Sequence, residues 1–187
     1  MSYLGNAFGH FCTINRHKWE VMKNCFRVGL YRQGLLHDLS KYSWAEFRTG
    51  VCYFDGHKSP NSVERMKNGV SPAWLHHKGR NKHHYEYWID YDVQEPGKLT
   101  GCRMPYRYVA EMFCDRVAAS KVYKGAAYND ACPWEYFQPT KDSSYIHPET
   151  RRELAELLWM LKEEGEEKTF AYLKKEIRRR KREKEFF

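Results

Sequence analysis

The sequence predicts an all-α protein, a compact helical bundle with a C-terminal helical extension. Three observations carry that expectation. Apolar residues recur at helical spacing through several long segments. Proline and glycine stand at the edges of those segments, where helices start and stop. The period-two alternation of half-buried strands is essentially absent. A chain of 187 residues, 42% hydrophobic and 16% aromatic, is long enough to bury a core without disulfide staples.

Residues 5–28 read as a first helix with apolar positions on several faces: Phe8, Phe11, Ile14, Val21, Cys25 and Val28. That distribution predicts a helix central to the fold. Gly29 and Gly34 bracket a short break, and the turn carrying Leu35, Leu36 and Leu39 presents His37 and Asp38. Ser43-Trp-Ala-Glu46 has the form of a capping box, which predicts a helix from Trp44 to about Tyr53. Asp55-Gly56 and Ser59-Pro60-Asn61 mark a loop, and a short helix is expected from Asn61 to near Gly69. Ser71-Pro72 enters the next helix, whose segment holds Trp74, His76, His77, His83, His84 and Trp88, with Gly79 as a candidate interruption. Residues 92–103 read as loop. Pro105 opens a helix running to about Lys124.

A loop with Trp134 and Pro139 leads to His147-Pro148, where His147 is expected to serve the helix start. Leu154, Leu157, Leu158 and Leu161 then form an amphipathic stripe, and Gly165 separates it from a last helix with Phe170, Leu173 and Ile177. This gives a metal-binding helical domain over 1–145 and C-terminal helices over 146–187 packing on it. Of the net charge of +8, the stretch 174–184 supplies +6 through eight Lys/Arg against two Glu. The basicity thus belongs to the tail, expected as a solvated helix end open to nonspecific nucleic-acid contact. No run suits a membrane span, and no basic-then-apolar leader opens the chain, so the expected compartment is the cytoplasm. The six cysteines (12, 25, 52, 102, 114 and 132) contain no C-x-x-C pair, and Cys12, Cys25 and Cys114 read as reduced core thiols.

Histidine is concentrated. His37-Asp38 has His17 upstream, and His76, His77, His83 and His84 follow within fifty residues. Neutral imidazole and carboxylate together suit divalent metals such as zinc, iron, manganese and nickel. Continued as a helix, the segment 77–84 would put 77, 81 and 84 on one face and 76, 80 and 83 on the next, two faces of ligands for two metals. Asp115 stands among apolar and small neighbours, where a carboxylate is costly unless compensated. His10, His57 and His147 read as non-ligands, and His76 as weaker than His77.

The order His17, His37-Asp38, Asp115 resembles the HD superfamily of metal-dependent phosphohydrolases. His37-Asp-x-x-Lys41 and His83-His84 look most like its cyclic-dinucleotide branch. There, however, a Gly-Tyr-Pro signature follows the doubled histidine where this chain has Tyr85-Glu86-Tyr87-Trp88. The stretches His37–Phe47, His77–Glu86 and Met104–Asp115 also look like a group of small bacterial and phage proteins. The resemblance implies metal ligands at His17, His37, Asp38, His77, His83, His84 and Asp115, with Asp38 bridging two divalent ions. It implies catalytic roles for Asp38, Lys41 and Arg80, the two cations on phosphate oxygens. Asn81, Glu86 and Glu111 are expected to orient the ligands. The expected substrate is a phosphorylated small molecule or nucleotide. Proteins of the same fold that oxidise small molecules at two irons, or that bind metal or nucleic acid without catalysis, are the alternatives.

Overall fold

In the computed structural model, which describes residues 2–140, 143 and 145–186, the chain is overwhelmingly helical, as expected. Helix α1 (Tyr3–Val28) starts on Ser2, whose hydroxyl accepts the Gly5 N–H, and stops at the left-handed Gly29. Short α2 (Tyr31–Leu36) and a 3₁₀ turn at Leu39–Tyr42 lead to α3 (Trp44–Cys52). Then come α4 (Pro60–Asn68) and α5 (Pro72–Lys78). Ser71 caps α5 by accepting the Trp74 N–H at 3.1 Å, as its place before Pro72 predicts.

The long central helix is α6 (Tyr106–Lys124), followed by α7 (Cys132–Phe137), α8 (Pro148–Glu164) and α9 (Glu166–Arg182). His147 serves the start of α8, its Nδ1 accepting the Glu149 N–H. The hydrophobic core cluster is built mainly from α1, α6, α8 and α9, with no buried member between Leu30 and Met104. Val21, Cys25 and Val28 of α1 meet Val109, Phe113 and Val117 of α6, and the leucine stripe of α8 and Phe170, Leu173 and Ile177 of α9 close over them.

Several expectations are corrected. α1 is central as expected, packing on α2, α3, α6 and α9, but its Phe8 and Phe11 are exposed; the helix buried nearly all round is α6, with residues 109–114, Val117 and Ala118 inside. Cys12 is exposed too; Cys25 and Cys114 are core thiols, and all six cysteines are free. A small antiparallel hairpin, β1 (Ile89–Tyr91) and β2 (Leu99–Gly101), replaces the expected loop, pairing Ile89 with Gly101 and Tyr91 with Leu99. Strands of three residues are too short to print a period-two pattern. α7 likewise falls within a segment read as loop.

The basic tail is only partly solvated. Arg180 lies 3.8 Å over the Tyr106 ring and bonds the buried Glu153 at 2.7 Å, and Phe186 is buried beyond it. Its cationic stem thus covers apolar surface while its head is neutralised. Lys174, Lys175, Arg178, Lys181 and Arg182 remain exposed along one side of α9. Among the described residues no helix is long and apolar enough to cross a membrane.

Gly101 ties the hairpin to the entry of α8. A Cβ there would stand 2.4 Å from the Tyr145 carbonyl oxygen and 2.8 Å from the His147 nitrogen. Both obstacles are backbone and cannot swing away. Gly101→Ala is therefore expected to cost about 2–3 kcal/mol, seen as a melting temperature lower by roughly 5–10 °C, with unchanged helical content by circular dichroism.

Candidate metal centre

The cluster is assembled by five stretches of chain. His17 projects from the middle of α1, and His37-Asp38 sits where α2 ends and the 3₁₀ turn begins. His77 closes α5, His83 and His84 follow in a turn, and Glu111 and Asp115 lie one turn apart on α6. Asp38 has left-handed backbone angles, φ 55° and ψ 27°, uncommon for a residue with a side chain. Lys18 holds this corner, its Nζ donating at 2.8 Å to the carbonyls of both Leu35 and His37. Strain of this kind persists where surrounding contacts over-determine it, and it gathers at functional sites.

The Asp38 carboxylate is buried, and its two oxygens face two different histidine sets. Oδ2 lies 3.3 Å from His37 Nε2 and 3.6 Å from His17 Nε2. Oδ1 lies 3.4 Å from both His77 Nε2 and His83 Nε2. Asp115 completes the first set, with Oδ1 at 3.0 Å from His17 and 3.6 Å from His37. His84 completes the second, its Nε2 at 2.9 Å from that of His77. All seven residues expected as ligands are thus brought together.

These separations test whether a metal fits. Ligand atoms ~2.0–2.1 Å from one ion stand roughly 2.9 Å apart along an octahedral edge and 3.4 Å along a tetrahedral one. The distances across both sets fall in or close to that range. Asp38, His77, His83 and His84 offer donor atoms all within 4.8 Å of one another, as do His17, His37 and Asp38. Moreover, Nε2 of His17, His37 and His83 and Oδ1 of Asp38 are buried without a hydrogen-bond partner among the described residues. Orphaned polar atoms are costly, and here they point at one another across a space a cation would fill.

The far side of the rings is held by carboxylates. His37 Nδ1 donates to Glu111 Oε1 at 3.0 Å, and His83 Nδ1 lies 3.4 Å from the same oxygen. His77 Nδ1 donates to Glu46 Oε2 at 2.8 Å, and His76 Nδ1 to Glu46 Oε1 at 2.7 Å. Burial opposes the charge on Glu111, yet the bonds from His37 and His83 hold it down to about 2. Glu46 is lowered in the same way, through His77. An ionised carboxylate can only accept, so His37, His77 and His83 each carry a proton on Nδ1 and turn Nε2 toward Asp38.

Burial, reinforced by the charges of His83 and His77, keeps His84 well below the usual imidazole range and hence neutral. Burial also works against charge on Asp38, but His37 and Lys41 outweigh it and keep the carboxyl far below its ordinary value. Lys41 Nζ sits 2.6 Å from Asp38 Oδ2.

A family model described as a family of unknown function (DUF5662) matches residues 6–160, which include every residue of this cluster. The chain belongs to the DUF5662 family. No curated protein matches it, and no solved structure matches it. What this DUF5662 protein does must therefore be argued from its own residues.

Some expected roles are not met. Arg80 is exposed and turned away, its Nη1 donating to the His76 carbonyl at 3.3 Å, because α5 ends at Lys78 and leaves Arg80 on the outside of the turn. The same ending breaks the helical faces expected for 76–84; a turn, not a helix, folds His83 and His84 back onto His77. Asn81 does support the centre, its Nδ2 donating to the His77 carbonyl and to Ser40 Oγ, both at 2.8 Å. Glu86 is raised by burial, and it faces none of the cluster histidines among the described contacts.

The role expected of Glu86 falls to Glu46, which the sequence offered only as half of a capping box. That box is not formed: Ser43 Oγ caps nothing and is buried without a partner. His76 is not in the cluster but shares Glu46 with His77. His10 and His57 stay outside, as expected: His57 is in the exposed loop, and His10 packs on Phe47 and Phe54.

Two outcomes follow. Ser43→Ala should leave the melting temperature within about 1 °C, whereas Glu46→Gln should cost roughly 1–3 kcal/mol by removing the charged acceptor of two imidazoles. The reverse order in thermal melts would restore the capping box and deny Glu46 its role. Burial, then the charge of Lys41, push His10 down to about 4, below its unfolded value near 6.5. The unfolded chain therefore binds the extra proton first, and stability falls as pH drops from 6.5 to 4. His10→Leu should remove up to about 3 kcal/mol of that acid-side loss, read by urea unfolding at pH 7, 5.5 and 4.

Proposed function

We propose that this protein is a metal-dependent phosphohydrolase of the HD type, using a pair of divalent ions to activate water against a phosphate ester. The observation that carries the reading is Asp38: a buried carboxylate whose two oxygens each face a separate set of imidazole nitrogens, those of His17, His37 and His83 without a hydrogen-bond partner among the described residues. A carboxylate so placed is the usual bridge between two cations a few ångströms apart. His17, His37, Asp38 and Asp115 would hold one ion; Asp38, His77, His83 and His84 the other. Bound there, the ions supply Lewis acidity and lower the pKa of a bound water to about 7. The ligand types admit iron, manganese, zinc or nickel.

The chain's own groups supply the rest. Glu111 and Glu46 fix the imidazole tautomers, so the rings need no reorganisation as charge builds at the centre. Lys41, paired with Asp38, is the cation at hand for a phosphate oxygen. Two divalent ions and Lys41 set against the carboxylates of Asp38, Glu46, Glu111 and Asp115 leave about one net positive charge, which suits an anionic substrate. The substrate class is a phosphorylated small molecule or nucleotide. Six free thiols agree with a reducing compartment such as the cytoplasm.

The test is elemental analysis of protein purified without chelator, together with release of phosphate or p-nitrophenol from model mono- and diesters. About two divalent ions per chain are expected, with activity lost to chelator and restored by added metal. Asp38→Ala should lose both metal and activity, and Glu46→Gln should weaken metal affinity about 10–100-fold. Metal-free protein with undiminished activity would end the reading. Two irons with oxygen-dependent oxidation of a small molecule and no ester hydrolysis would move the function to the oxygenase class.

A further inference from the structure

The expected anion clamp, Arg80, points away from the cluster, yet a different pair of cations stands beside it. A cavity of about 200 Å³ lies between α1, the loop before α4 and the end of α6; Cys12, Thr13, Arg16, Phe54, Lys58 and Tyr123 line it. None of its lining residues is a proposed ligand, but α1 and α6 contribute to both the cavity and the metal centre. α1 and α6 run antiparallel there: Asn24 bonds the Cys114 carbonyl, His17 meets Asp115, and residues 12–16 face 122 and 123 across the cavity. Thr13 is one turn from His17, about 6 Å along α1, and Val122 two turns from Asp115, about 10 Å along α6. Tyr123 is within electrostatic reach of both Lys41 and Asp115.

The two cations of this cavity, Arg16 and Lys58, are exposed, and the Lys58 charge reaches Asp55. Among the described residues, the Arg16 guanidinium and the Lys58 ammonium form no hydrogen bond and no ion pair. Asp55, the acid nearest Lys58 in sequence, is occupied by the backbone N–H groups of His57 and Lys58, at 2.8 and 2.7 Å. The other arginine preceding a cluster turn, Arg80, is by contrast engaged with the His76 carbonyl. Two unpaired cations in one concavity, one of them on the helix that carries a proposed ligand, make an anion site.

We propose that Arg16 and Lys58 bind a second anionic group of the substrate, set one small-molecule length from the phosphate at the metals. The substrate class is then a small phosphate ester bearing two phosphates. Drug-sized ligands occupy roughly 300–1,000 Å³, so a cavity of about 200 Å³ takes a phosphorylated sugar end but not an oligonucleotide. The proposal rests on the phosphohydrolase reading for the first phosphate, and on the cavity alone for the second.

The experiment compares glucose 1,6-bisphosphate with glucose 6-phosphate as probes, by calorimetric binding and by phosphate release, on the metal-loaded full-length protein and on Arg16→Ala/Lys58→Ala. The native protein should bind the bisphosphate at least tenfold more tightly than the monophosphate. The double variant should lose that preference, with KM for the bisphosphate raised about tenfold, kcat unchanged, and metal content and melting temperature unaltered. Lys58→Arg should restore most of the preference beside Arg16. Equal binding of both probes by the native protein, or an equal loss for both in the double variant, overturns the proposal while leaving hydrolysis standing. The preference without any hydrolysis keeps the anion site and removes the phosphohydrolase reading instead.

Discussion

The Asp38 carboxylate is the group around which the site, and part of the fold, is arranged. A buried charge is tolerated only when paired and hydrogen-bonded, and Asp38 has imidazoles from α1, α5 and the turn beyond α5 around it, with Lys41 on its open side. Each of those partners is itself tied further out. Lys18 holds the corner that lets Asp38 take left-handed angles; Glu46 brings α3 to His77; Glu111 brings α6 to His37 and His83. Elements distant in sequence are therefore pinned by charge-assisted bonds at one place, while the apolar core pins them elsewhere. Removing Asp38 would leave several cationic or orphaned nitrogens buried without a counter-charge.

That arrangement explains why α6 is the most buried helix. One stretch of it contributes Val109, Phe113 and Val117 to the apolar core and Glu111 and Asp115 to the polar centre. The two faces cannot shift independently, because the pitch of a single helix links them. α1 is built the same way, with Val21 and Cys25 in the core and His17 facing Asp115. Core packing thereby sets the distance between His17 and Asp115, the 3.0 Å contact on which the first proposed ligand set depends. Ligand sites on packed helices are positioned more tightly than sites on loops.

Much of this was legible in the sequence, and the reasons it was or was not are physical. Helix entries at Ser71-Pro72 and His147-Pro148 were readable because capping chemistry is local, needing only a side chain and the next turn's N–H groups. The seven clustered residues were readable because their order, from His17 through His37-Asp38 and the His77, His83, His84 group to Asp115, resembles the ligand order of the HD superfamily. Glu46 was not, since its position three residues after Ser43 fits a local role equally well; only the fold shows that α5 supplies a better partner. Arg80 failed for a related reason. Its backbone N–H stays on the His77 carbonyl at 3.0 Å, but the turn after α5 leaves its side chain exposed on the His76 carbonyl. Local signals are decided by local physics, while the orientation of a side chain beyond a turn is decided by what packs against that turn.

The basic tail shows the same limit from the opposite direction. Its composition reads as a uniform run of charge, yet the helix sorts it by face. Arg180 is spent on Glu153 and Tyr106, Arg179 on Glu176 and Glu183, and only the other side presents free cations. Net charge alone would place the protein's anion-binding capacity at its C-terminus. Exposed cations line two cavities: Arg16 and Lys58 the one between α1 and the end of α6, and Lys174, Lys175, Arg178, Lys181 and Arg182 another along α9; the first shares its two helices with the proposed metal ligands His17 and Asp115. A charge acts on an anion through where it is left unpaired, and Arg16, next to His17 on α1, and Lys58 are two such cations lining one cavity.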